Sequence, residues 1–316
     1  MRPFAPLSAS LAAMLVALLP TTPAQAQSET TFVSLAGSAG GPCSRSVPCN
    51  NFQSAHDATV SEGEIRCLDP GPFGGATITK SITIDCAGTT TNQFIINAAG
   101  IVVRLRNLTF NGLLLPITTG ISIDFVNGAA LFVENCVIAN NDGSEPAIGI
   151  RFQPSVGVTG TLYVSDTVIS NNGHPASGGG IFIQPAASGS ARVLLDRVRV
   201  ENNTHGIQAS APGGGGSAVV QIRDSVIAGS AGNGVWATTT AGLAAFVVDR
   251  STIVSNTGSG ILADGANALV HLGNSTVVGN GAGLNTSNGG KILSYQNNQA
   301  TGNSIDGAPT GVLTMK

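Results

Sequence analysis

The sequence predicts an all-β solenoid, one chain wound into a stack of short parallel strands. Three observations carry this. Six segments align without gaps: LFVENCVIANN (131–141), LYVSDTVISNN (162–172), VLLDRVRVENN (193–203), VQIRDSVIAGS (220–230), FVVDRSTIVSN (246–256) and VHLGNSTVVGN (270–280). Self-similarity at a period of 20–50 residues marks repeat architectures. Within each copy apolar and polar residues alternate with period two, as in a strand with one buried face. The composition agrees: 42 of 316 residues are glycine, and the chain is 42% hydrophobic but only 4% aromatic. That glycine share is about twice the usual ~7%, and it suits a core of Val, Ile, Leu and Ala between many turns.

In chain order, residues 1–26 read as a secretory signal. Arg2 opens it, residues 7–20 form an apolar run too short to span a bilayer, and Ala24-Gln25-Ala26 matches a small-x-small cleavage pattern. No later stretch is long and apolar enough for a membrane span, so the chain is expected in the periplasm or outside the cell. Residues 27–63 are read as an N-terminal segment and cap. Within them NNFQSAHDATVSEG (50–63) reads as a short amphipathic helix with Phe52, Ala55 and Val60 inward. Such a helix would cover strand edges at the open end of a solenoid. Residues 64–293 are assigned to the coils, and 294–316 to a C-terminal cap or tail.

Five cysteines then lie in an oxidising compartment. Cys43 and Cys49 flank a short loop, and Cys67 and Cys86 each follow a strand-like run. The expected disulfides are Cys43–Cys49 and Cys67–Cys86, although four cysteines allow three pairings. Cys136 remains as a small buried apolar residue. No paired C-x-x-C or nearby His supports zinc.

Counting the weaker copy VRLRNLTFNG (103–112), the repeats are spaced by 28, 31, 31, 27, 26 and 24 residues. Each copy is followed by a second signal: Gly149-Ile150, Gly180-Ile181, Gly206-Ile207, Gly234-Val235, Gly260-Ile261 and Gly283-Leu284, with Gly120-Ile121 as the first. Asn141 recurs as Asn172, Asn203, Asn256 and Asn280. Asn tolerates a left-handed bend, and stacked in register these amides form a ladder. Helical repeats are excluded by the Gly, Val, Thr and Asn content. Stacked at ~4.8 Å, about nine coils give a rod about 40 Å long.

On this V-x-V-x-N-x-x-I-x-x-N frame and the following Gly-Ile, the chain resembles the right-handed parallel β-helix proteins of the pectin-lyase-like superfamily. The resemblance covers roughly residues 64–293. TFVSLAGSAGGPC (31–43) is similar to the start of many secreted β-helix proteins, and PGPFGGATITKSITIDC (70–86) to an early coil. It implies a single-stranded right-handed parallel β-helix with an N-terminal capping helix. It carries over no catalytic residue. The N-T-D, D-D, G-H-G and R-I-K set of polygalacturonases is missing. Of the acidic calcium ligands and nearby Arg of pectate lyases, only Asp124 with Arg151 stands here.

Two outward patterns could carry chemistry. Asp196, Arg223 and Asp249 share one column and Arg197, Asp224 and Arg250 the next, with signs alternating both ways. This reads as a surface ion-pair lattice that fixes coil register, in preference to a catalytic cluster. The other face follows each Gly-Ile. One column reads Ser122, Arg151, Phe182, Gln208, Trp236, Leu262, Asn285, and the next Asp124, Gln153, Gln184, Ser210, Thr238, Asp264, Ser287. An aromatic face among planar polar groups suits sugar rings. The substrate-binding candidates are therefore Asp124, Arg151, Gln153, Phe182, Gln184, Gln208 and Trp236. The catalytic candidates are Asp142, His174 and His205, which follow equivalent bends and could form an acid–base group. His56 and His271 are expected at the surface.

Function remains divided at this level. The leading expectation is a secreted module that binds polysaccharide on the Trp236 face. The alternatives are a carbohydrate-active lyase or hydrolase, and a structural or cell-surface protein. No cofactor or dedicated metal site is expected, with calcium the one ion to test. Nucleic acid is excluded as a partner, since 14 Lys+Arg against 17 Asp+Glu form no basic cluster.

Overall fold

The computed structural model describes residues 27–113, 120–141, 146–174, 177–211 and 213–314. Among these, nineteen strands join one long sheet and nine join a second, and successive coils pair in parallel. One coil shows the plan. Ser190–Asp196 lies in the first sheet, the chain turns at Arg197, Arg199–Glu201 continues that sheet, the chain turns at Asn202, and Ile207–Ala211 lies in the second sheet. About ten such turns stack.

Both corners are left-handed. At the first, Asn107, Asn135, Asp166, Arg197, Asp224, Arg250 and Asn274 have φ from 45° to 58°. At the second, Asn140, Asn171, Asn202, Gly229, Ser255 and Gly279 have φ from 54° to 68°. The bend thus falls one residue before the recurring Asn141, Asn172 and Asn203, which correct the expectation by turning inward. Their amides form the ladder: Asn141 Nδ2 donates to Asn172 Oδ1 (2.8 Å), Asn172 to Asn203 (3.0 Å), Asn256 to Asn280 (2.9 Å) and Asn280 to Asn303 (2.9 Å). Ladder amide nitrogens also donate to carbonyls, Asn172 Nδ2 to Ile138 and Asn203 Nδ2 to Ile169. This is how buried amides are kept hydrogen-bonded.

The recurring glycine has its cause in this ladder. A Cβ on Gly180 would lie 3.3 Å from Asn203 Nδ2 and 2.7 Å from the Gly206 carbonyl, and one on Gly234 2.8 Å from Asn256 Nδ2. In these coils a side chain at the glycine would collide with the stacked amides. Aliphatic columns such as Ile138–Ile169–Val200–Ile227–Ile253–Val277 are buried throughout. Beside them a hydroxyl column is buried too: Thr167, Ser225, Ser251 and Ser275 each accept the backbone N–H of the coil before. Cys136 tops this column, and burial pushes its thiol pKa up to about 12.

The N-terminal end departs from expectation in two ways. The helix spans only Phe52–Ala58, and Thr59–Cys67 is already a strand, so Val60 is not a helix residue. β-branched Thr59 stops the helix, and its hydroxyl bonds the Ala55 carbonyl (2.6 Å). His56 is buried, not at the surface, under Lys80, whose ammonium bonds the His56 and Thr59 carbonyls. Strand Ser28–Ser38 also pairs with Thr59–Cys67, so the sheet begins before the helix. Disulfides join Cys43 to Cys49 and Cys67 to Cys86. At the other end the pairing runs past residue 293: Gln299–Ala300 and Gly311–Val312 join the first sheet, and Asn298 and Asn303 extend both polar columns.

Candidate functional site

The second sheet presents the candidate face. Its strands stack in register, so Arg151, Phe182, Gln208, Trp236, Leu262 and Asn285 form one column along the rod. In the next column Gln153 and Gln184 bond to one another. All of these side chains are half-buried or exposed.

The start of the column corrects the sequence alignment. Asp124, not Ser122, stands opposite Arg151, and Ile123 pairs with Ile150. Ser122 therefore occupies the glycine position of later coils. It is buried, and its hydroxyl bonds Asn141 of the ladder. The carboxylate of Asp124 is buried and held by both Arg151 Nε (2.8 Å) and Nη2 (2.6 Å). Such a bidentate pair is geometrically specific. It fixes the guanidinium plane at one end of the column.

The other end brings together two groups that the sequence reading kept apart. The ring of His205 packs on the Trp236 indole at 5.2 Å and 51°. His205 Nδ1 accepts the Asn233 N–H at 3.1 Å, so the neutral ring carries its proton on Nε2. Burial holds this imidazole below its ordinary value of 6.5. Gly232 makes the room, since a Cβ there would lie 2.3 Å from the imidazole. The Trp236 Nε1 is covered and lacks a hydrogen-bond partner among the described residues. The exposed part of this side chain is thus apolar ring.

His174 lies in the preceding coil, where its backbone pairs with Ser177 and its carbonyl accepts the Thr204 hydroxyl. Five residues separate His174 from Gly180, whereas His205 directly precedes Gly206, so the two histidines enter different local structures. Asp142 and the signal-like segment 1–26 lie outside the described residues. No cluster of three His, Cys, Asp or Glu among the described residues could hold a metal ion.

The ion-pair lattice forms as a register device. Arg197 bonds Asp166 (2.7 Å) and Asp196, Arg223 bonds Asp196 (2.7 Å), and Arg250 bonds Asp224 (2.8 Å) and Asp249. Asp196 is buried beneath its two arginines. Arg197 holds the Asp166 carboxyl, and Arg250 that of Asp224, below the ordinary carboxylate value.

No family model matches the chain, and no curated protein matches it in sequence. A similar solved structure is the crystal structure of pectate lyase Pel9A, at a TM-score of 0.54 and 14% identity, covering 91% of this chain and 80% of that one. The fold is a right-handed parallel β-helix, as in that structure. At this identity the likeness speaks for the β-helix alone. Two disulfides fit an oxidising compartment, and no helix among the described residues is long and apolar enough to cross a membrane.

The β-helix also carries aromatic rings that sequence reasoning missed. Phe132 and Tyr163 stack outward on the first sheet at 4.7 Å and 13°, with the Arg104 guanidinium 3.9 Å above the Phe132 ring. The signal was present in the repeat: both hold the second position of their segments, LFVEN and LYVSD.

Proposed function

We propose that this β-helix binds polysaccharide across the outer face of its second sheet, centred on Trp236. The observation that supports it is the in-register column of planar side chains from Arg151 through Phe182 and Gln208 to Trp236, with the His205 ring against the indole. Stacked apolar faces between hydrogen-bonding planes suit a chain of sugar rings. The carbohydrate-related fold of pectate lyase Pel9A points the same way.

Trp236 is the only tryptophan, so its fluorescence reports this face. A polysaccharide array titrated with and without calcium is expected to give a saturable, sugar-specific change. Trp236→Ala is expected to weaken that binding at least tenfold, since a buried aromatic contact at a binding centre is worth about 2 kcal/mol. Equal affinity in Trp236→Ala, measured by calorimetry, would remove the face from the reading. The catalytic alternative rests on His205, a neutral imidazole beside the ring platform. Assaying the bound glycan for new reducing ends or unsaturated products tests it.

A further inference from the structure

The outer face of the first sheet is unused by the proposed glycan site, and its side chains are arranged in a way the rest of the surface is not. Among the described residues, seven arginines, including those of the lattice, have carboxylate partners. On this face Arg192 and Lys291 share one outward column, Glu62 lies at the N-terminal end of the same face beside Ser81 and Val102, and none of the three has an ion pair among the described residues. Glu62 is near the N-terminal end, Lys291 near the C-terminal end, and Arg192 between them. The adjacent column carries the Phe132–Tyr163 stack, and Leu194 continues it. Tyr163 and Val219 are 38% and 43% exposed, and they border a depression of about 370 Å³. Apolar middle and oppositely charged ends make the face self-complementary.

We infer that this face is the interface of a two-fold dimer, and that its occupant is a second copy of this chain. A two-fold axis along the strands, at the step between Tyr163 and Leu194, reverses one rod against the other. Tyr163 of one copy then faces Leu194 and lies beside Arg192 of the other, and Phe132 meets Gln221 and Val219. Glu62 meets Lys291, five coils from the axis on either side. Each unpaired end charge gains an opposite partner, and the arginine gains an aromatic face. Sheets packed this way keep their strands aligned. Strands of about seven residues over about ten coils offer about 20 by 45 Å, or ~900 Å² per copy, the area of a standard interface. A polyanion is disfavoured as occupant, because its path over Arg104 and Arg192 continues onto Glu62.

The test is light scattering after gel filtration, on the mature protein at low salt and a range of concentrations. The expected result is twice the chain mass at micromolar concentration, with dissociation as salt rises. Tyr163→Glu combined with Val219→Glu is expected to give monomer, with circular dichroism and both disulfides unchanged. Lys291→Glu is expected to weaken the dimer at least fivefold, and Glu62→Lys added to it to restore the affinity. A monomer at all concentrations overturns the inference, as does a dimer indifferent to the Tyr163/Val219 pair. A monomer that heparin binds through Arg192 also overturns it and gives the face to a polyanion. Each readout is independent of Trp236, so failure of the glycan reading leaves it intact.

Discussion

At the scale of single residues the fold is governed by what must stack on its own copy. The ladder asparagines need hydrogen bonds on both sides, and the glycines opposite them give the room. One coil breaks the ladder. Ser230 stands between Asn203 and Asn256. Its backbone N–H still reaches Asn256 Oδ1 (2.9 Å), but its buried hydroxyl has no partner among the described residues. Gly206 keeps the space that an amide there would use. Ser230→Asn is therefore expected to join the two ladder segments and raise unfolding free energy by about 1 kcal/mol, one net buried hydrogen bond. Urea denaturation measures it, and a lower midpoint would show that the gap is needed for packing. The same scale shows where the sequence was legible. Asn recurs at a fixed offset within each segment and a Gly-apolar pair marks the start of each following strand, so the columns could be read directly. The slip at Ser122 came from Ile121 and Ile123 flanking it. Two isoleucines in alternation define a buried face but not its phase, and Ser122 fills the glycine site through a hydroxyl bond to Asn141 that no spacing announces. The pairing of His205 with Trp236 was equally hidden, since it joins two coils through a bend of variable length.

Among the elements, the N-terminal helix shows how a short segment is held by side chains rather than by length. At seven residues, Phe52–Ala58 is too short to persist alone. Asn51 caps it by accepting the Ser54 N–H (2.7 Å), and Phe52 packs edge-on against Phe73 and Phe94. His56 is the polar anchor. Its Nε2 accepts the Thr79 N–H at 3.2 Å, and its Nδ1 lies 3.0 Å from Asp57. The ring must therefore be neutral, with its proton on Nδ1. Burial, and the Lys80 charge nearby, hold its pKa below the ordinary 6.5, although the Asp57 contact opposes this. The sign follows from linkage. Below pH 6.5 the unfolded chain takes up a proton that the folded cap refuses, so stability is complete above that value and falls as pH drops toward the folded pKa. Thermal midpoints are expected to decline from pH 7 to pH 5. His205 contributes in the same direction. His56→Gln, whose carbonyl oxygen can still accept the Thr79 N–H, is expected to flatten part of that slope, and an unchanged slope would locate the titration elsewhere. The helix was legible from its amphipathic pattern, but its end and the burial of His56 were not. Both depend on Thr59, Thr79 and Lys80, which meet only once the second strand has folded back.

On the scale of the whole molecule, a solenoid is quasi-one-dimensional, and each coil is stabilised by its neighbours. Its two ends then decide where it opens. The N-terminal end combines two disulfides, the helix and a chain of edge-on rings from Phe73 through Phe52 and Phe94 to Phe110. The C-terminal end has aliphatic core residues such as Leu284 and Ile292, strands of two residues at Gln299–Ala300 and Gly311–Val312, and exposed Ile305 and Val312. Its last ladder amide, Asn303, is held by Asp306 from the same turn rather than by a further coil. Opening should therefore start at the C-terminal end and travel toward the disulfides. Hydrogen exchange by mass spectrometry is expected to show protection rising stepwise from 291–312 toward the central coils, with the N-terminal coils as protected as the centre. Reduction of the disulfides should erase that asymmetry by loosening the N-terminal end alone. If the N-terminal coils exchange first with disulfides intact, the cap does not seal that end. The gradient would then have to come from the charge lattice, which is densest between Asp166 and Arg250. High salt separates the two causes, because it screens exposed ion pairs and leaves disulfides and stacked rings unchanged.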